Sequence, residues 1–182
     1  MADELHFELT LYPAPVLRRP ATPVTRFDAE LAAIVRAMIE RMTDSNGVGL
    51  AAPQVGLKKR ILVSSPTGEE EDVRVFCNPE ILERSGPRMV FEEGCLSFPG
   101  IFAEVERHDV CRVKAYTALG EPFEETFDGF ASRILQHEHD HLEGILLVDR
   151  MSAADKVRHK AALDELVHEY ERRRDARPAG KR

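Results

Sequence analysis

The stretch FASRILQHEHDHLEG, residues 130 to 144, constrains this chain more than any other part of it. Asp128 and Gly129 precede it and Gly144 stands where a helix would stop, so the spacing predicts one helix between them. Phe130, Ile134, His137 and His141 recur at i, i+4, i+7 and i+11, so an apolar stripe leads directly into two histidines on one face. A solvated helix has no use for such a stripe. A buried face ending in two imidazoles four residues apart is what a shared metal ion needs. Within this H-E-x-x-H pattern Glu138 falls beside the pair but off their axis, where it can hold a water on the ion without displacing it. His139 lies about two hundred degrees around the helix from His137 and is expected at the surface.

Such a face must be covered, and a chain of 182 residues with 43% hydrophobic and 31% charged residues can cover it within one compact domain. Residues 1–170 read as a single catalytic domain and 171–182 as a basic tail expected to fray. The net charge of -7 argues against phosphate-driven binding over the whole surface, and specific DNA binding is not expected. The charge is uneven: from Tyr170 to Arg182 the chain carries +4, and the rest carries -11. The start, MADELHFELT, has acidic residues where a signal peptide would have cations, and no apolar run nears the roughly 18 residues that cross a bilayer. A cytoplasmic protein without a membrane partner is expected.

Elsewhere, Asp28 offers an N-cap to a first helix whose apolar positions are Leu31, Ile34, Val35, Met38 and Met42. The segment SNGVGLAAPQVG follows and cannot continue a regular helix. Strand-like runs come next, at 61–65, 73–79 and 110–120, where Cys77 and Cys111 fall on apolar faces and read as buried structural thiols. Ser152 with Asp155 resembles a capping box for a third helix, with Leu163, Leu166, Val167 and Tyr170 as its stripe. The order helix, strands, helices predicts an α+β fold: mainly antiparallel β-sheets packed around a central HExxH-bearing helix, with an N-terminal and a C-terminal helix.

A catalytic metal takes three protein ligands and keeps one position open. The long motif H-E-x-x-H-x-x-G-x-x-H ends on Leu147 instead of histidine, so it does not supply the third. A carboxylate from the last helix, Glu165 or Glu169, could complete a zinc endopeptidase. Cys95, in the glycine-flanked stretch EGCLS, could complete a thiolate site instead. A non-catalytic metal-binding module is a third class.

Three segments read together as GVGLAAPQVG at 47–56, EGCLS at 93–97 and QHEHDHLEG at 136–144. In order and spacing they resemble the signature segments of peptide deformylases, and the likeness extends from LYPAPVLR at 11–18 through NPEIL at 78–82 to the C-terminal helix, which is similar to the bacterial type. The resemblance implies a hydrolase that removes the formyl group from the formyl-methionine of nascent polypeptides and releases formate. It implies metal ligands Cys95, His137 and His141, Glu138 as general base and then acid, and an oxyanion held by the metal, the Gln54 side chain and the Leu96 backbone N–H. The ion implied is Fe(II), with zinc, nickel or cobalt able to occupy the same site. A thiolate and two neutral imidazoles leave the centre at about +1, a weaker Lewis acid than three histidines would give.

Gly47, Val48 and Gly49 are expected to pair with the substrate backbone as an added strand, with Val48, Phe130 and Ile134 lining the methionine pocket. Arg107 is expected to pair with Glu93 or Asp140 and so orient the ligands. The resemblance is imperfect at Phe102, near the place where many members carry arginine, and at Arg133, where an apolar pocket residue is common and an arginine would narrow or rim the pocket. It also implies that the C-terminal helix and basic tail contact the ribosome, against which stands the plainer reading of cations complementing a helix dipole.

Overall fold

A computed structural model describes residues 5–176 of the chain. Helix α1 (Ala29–Asp44) begins where the Asp28 carboxylate accepts the Glu30 and Leu31 N–H groups, a cap worth about 1 kcal/mol, and buries Leu31, Ile34, Val35, Met38 and Met42. Five strands follow: β1 (Gly49–Ala51), β2 (Ile61–Ser64), β3 (Arg74–Cys95), β4 (Phe98–Tyr116) and β5 (Pro122–Asp128). They form one antiparallel sheet in the order β1-β2-β3-β4-β5. Helices α2 (Gly129–Leu142), α3 (Leu147–Arg150), α4 (Ala153–Arg158) and α5 (Lys160–Asp175) complete the chain.

The fold is therefore α+β, with the HExxH helix α2 packed against all five strands. Its apolar side meets Phe76, Cys111, Val113, Ala115 and Phe127, into which Leu135 and Leu142 insert. Helix α1 closes a second cluster over Leu50, Ile61, Val63 and Cys77. Leu17, Phe98, Ile101, Leu146 and Leu166 form a third, which seats the C-terminal segment. Helix α2 stops at Gly144, whose φ of 74° favours glycine, and a Cβ there would lie 2.6 Å from the Arg18 carbonyl oxygen. Cys77 and Cys111 are buried as expected, and burial pushes the Cys77 thiol up to about 11.

The structure corrects two local expectations, the strand lengths and the third helix. The strands expected at 73–79 and 110–120 are parts of 22- and 19-residue strands that begin at Arg74 and end at Tyr116, and EGCLS is the end of β3 plus a two-residue turn. Most of β3 beyond Glu80 faces solvent and its register with β4 shifts four times, so the alternation that marks a half-buried strand is lost. The third helix is two: Ser152 caps α4 by accepting the Asp155 N–H, but the chain bends at His159 before α5. The tail expected to fray from residue 171 is helical through Asp175, and residues 177–182 lie outside the described residues.

Candidate metal centre

Cys95 ends β3 at a turn, Leu96–Ser97, whose closure is the Cys95 to Phe98 pair. That turn is held from outside: the Ser97 carbonyl accepts the Tyr12 N–H at 3.0 Å, and the Tyr12 ring stacks on Phe98 at 4.9 Å. Helix α2 brings up His137 and His141 with ring centroids 5.1 Å apart. Cys95 Sγ lies 3.3 Å from His141 Nε2, and one donor atom from each of Cys95, His137 and His141 lies within 4.8 Å of the others. Glu165 and Glu169, by contrast, stand on α5 paired with Arg172 and Arg173 of the same helix, so neither joins this group.

The two imidazoles are prepared differently. His137 Nδ1 is 2.9 Å from Glu93 Oε2, which leaves Nε2 as its ligand atom. Burial holds His141 well below the usual histidine range, in the neutral form a ligand requires. Glu93 accepts from Arg107 Nε at 2.7 Å and Nη2 at 2.9 Å, while Arg107 Nη1 reaches Asp140 Oδ2 at 2.9 Å. Arg107 thus pairs with both candidates. Burial works against the Glu93 carboxylate, but His137 and Arg107 prevail and hold it at about 2, so it stays ionised. Arg150, which nothing in the sequence marks, adds a second guanidinium on Asp140, Nε to Oδ2 at 3.0 Å.

Glu138 is buried beside the ligands, and its Oε2 has no hydrogen-bond partner. Burial raises it to about 7. An orphaned buried carboxylate oxygen next to a sulfur and two imidazoles fits a centre that binds a divalent ion and a water. Gln54, fully buried in the 3-10 turn Ala52–Val55, accepts the Ala51 N–H on Oε1 at 2.8 Å and turns Nε2 toward Cys95 Sγ at 3.5 Å. One end of the side chain is thereby tied to its own backbone, and the other end faces the sulfur.

These groups open into a cavity of about 570 Å³ lined by Val48, Phe130, Ile134, Phe102, His137 and Glu138, among others. Ile134 is buried, whereas Phe130 and Phe102 are about half exposed at the mouth. Gly47 and Val48 lead into β1, which among the described residues pairs only with β2 and so leaves one side of the sheet open; the Val48 carbonyl is already taken by the Ser65 N–H. His139 points away from the ligands as expected, but it is packed between Arg60 and Glu143 instead of lying in solvent.

The family model for polypeptide deformylase matches residues 6–157. The chain belongs to the polypeptide deformylase family. Peptide deformylase of Thermotoga maritima is 43% identical over 166 residues, spanning 91% of this chain and 99% of that one. The Arabidopsis thaliana peptide deformylase 1B, chloroplastic/mitochondrial, is 40% identical over 178 residues, 93% of this chain and 64% of its own. A Plasmodium falciparum peptide deformylase structure superposes with a TM-score of 0.89 at 40% identity, covering 96% of this chain and all of its own. Peptide deformylases are metal-dependent hydrolases that act on formylated nascent peptides, and this α+β arrangement around an antiparallel sheet is their fold.

Proposed function

We propose that Cys95, His137 and His141 hold one divalent ion and that Glu138 moves the protons as the chain takes the formyl group from the formyl-methionine of nascent polypeptides. The observation that carries this reading is the convergence of one sulfur and two imidazoles within 4.8 Å beside a buried carboxylate oxygen that has no partner. The ion we assign is Fe(II), with zinc, nickel and cobalt able to take the same donors, since availability weighs as much as affinity in a Cys/His₂ set. When bound, it supplies Lewis acidity to water and to the formyl oxygen.

Glu138 takes a proton from the attacking water, whose oxygen bonds to the formyl carbon. The carbon becomes tetrahedral and its oxygen carries the charge. The Gln54 side-chain N–H and the Leu96 backbone N–H donate to that oxyanion. Glu138 then returns the proton to the departing amine, the C–N bond breaks, and formate and a free amino terminus leave. The methionine side chain enters the cavity between Val48, Phe130 and Ile134 while its backbone pairs with Gly47–Gly49. A cytoplasmic site of action is part of this reading, and no helix among the described residues is long and apolar enough to cross a membrane. The ribosome contact has less support: Arg172, Arg173 and Arg174 each pair with an acid of their own helix, which suits a solvated helix end better than a surface kept for phosphate.

Formate release from a formyl-methionyl peptide, assayed with iron under anaerobic conditions, tests the reading; bound metal without turnover would leave only a binding module. Two variants test its parts. Gln54→Ala should keep the metal and lose about a hundred- to a thousandfold in rate, and near-normal turnover would remove Gln54 from the oxyanion role. Gly49→Ala would place a methyl group 2.5 Å from Glu138 Oε1 and 2.8 Å from Ile134 Cγ2, so the carboxylate must shift. We expect retained metal and a kcat lower by about a hundredfold, the cost typical of an ångström's misplacement; an unchanged kcat would show that Glu138 tolerates the move.

A further inference from the structure

The metal ligands come from two separate bodies, Cys95 from the β3–β4 hairpin and His137 with His141 from α2, and their donor atoms must stay in register. Arg133, one turn before His137 on α2, is buried, 8% exposed, and bonds both strands of that hairpin: Nη2 donates to the Met89 carbonyl at 2.7 Å and Nη1 to the Val105 carbonyl at 3.0 Å. Nη1 also donates to Glu93 Oε1 at 2.7 Å. Its guanidinium carbon sits 4.9 Å from the centre of the Phe91 ring.

The Glu93 carboxylate therefore receives four bonds on two oxygens. Oε1 takes Arg107 Nε and Arg133 Nη1, and Oε2 takes Arg107 Nη2 and His137 Nδ1. Four donors fill the acceptor capacity of a carboxylate, so its rotation is fixed and with it the plane of the His137 ring. Arg107 alone fixes it less well, because the same guanidinium is also engaged by Asp140.

We propose that Arg133 is a positioning residue for the metal centre, a three-point clasp that locks the hairpin carrying Cys95 to the helix carrying the histidines and fixes the Glu93 carboxylate that orients His137. This rests on the ligand assignment under Proposed function. The role calls for arginine: a planar fork can meet two carbonyls and a carboxylate at once, and a single ammonium on a flexible stem cannot. It also gives a buried guanidinium in a pocket wall a purpose beyond narrowing the pocket.

The test is the rate at which the zinc-loaded full chain loses its ion to excess EDTA, below the unfolding temperature of every variant used. Arg133→Leu should lose zinc roughly 10- to 100-fold faster than wild type, the range typical when an outer partner of a metal ligand is removed. Arg133→Lys should fall between the two. Arg74→Leu, which breaks an ion pair to Glu125 on the far part of the sheet, should lose zinc at the wild-type rate. With cobalt in place of zinc, the visible spectrum of Arg133→Leu should shift while that of Arg74→Leu does not. A wild-type rate in Arg133→Leu overturns the proposal; should that variant not fold, a wild-type rate in Arg133→Lys overturns it. Wild-type chain that holds no zinc would retire the ligand assignment and this proposal together, whereas formate release with an unchanged Arg133→Leu rate would retire this proposal alone.

Discussion

With glutamine in place of Glu138, the chain should still hold one ion while formate release falls by about 10²- to 10⁴-fold, the range that a positioned proton-transfer group contributes. The substitution changes little but chemistry: the side chain keeps its size and its place against Gly49, but an amide accepts no proton from water and returns none to the amine. Glu138 suits the role because burial lifts its carboxyl to about 7, near the working pH, where taking a proton and giving it back are both easy. Elemental analysis of the variant, set beside single-turnover rates, separates a lost base from a lost metal. Turnover within tenfold of wild type would mean that another group handles the proton.

Serine in place of Cys95 should weaken metal binding beyond the roughly 10- to 100-fold typical of outer-partner changes, because it exchanges a soft sulfur for a weak hydroxyl donor and removes the only anionic charge in the ligand set. The sulfur is 3.3 Å from His141 Nε2 and accepts Gln54 Nε2 at 3.5 Å, so its loss also releases the group assigned to the oxyanion. A chelator competition with wild type and Cys95→Ser reads the difference directly. Unchanged affinity would point to a carboxylate third ligand, which α5 does not deliver: Glu165 and Glu169 are paired along their own helix.

The helix that carries the histidines could be read in advance because its stripe, start and stop all agree at one period, and Asp28 and Ser152 cap their helices as their residue types suggest. The long hairpin could not. Pro79, Gly86 and Pro87 punctuate β3, its outer half is exposed, and bulges break the two-residue rhythm that would announce it. Pairing over tens of residues, which makes that hairpin, leaves no local mark. The same limit explains the site. The spacing of His137 and His141 puts two imidazoles on one side of a helix, whereas the place of Cys95, the two partners of Arg107 and the arrival of Arg150 depend on which surfaces the fold brings together. Leucine in place of histidine at Leu147 excluded one architecture, but sulfur and carboxylate read alike in the sequence, and it is the distances that favour the sulfur.

Strand β1 has a consequence for which guests the enzyme admits. Its open side offers only Gly49–Ala51, three residues of main chain, and two of the three residues leading through it from Gly47 lack a side chain. If substrate pairs there as proposed, a docking rail that short would grip the first few peptide units of any newcomer whatever its side chains, which is what a workforce of diverse young proteins demands. It is also too brief to template stacking between copies, so that pairing would come without the aggregation hazard that a longer bare margin would bring.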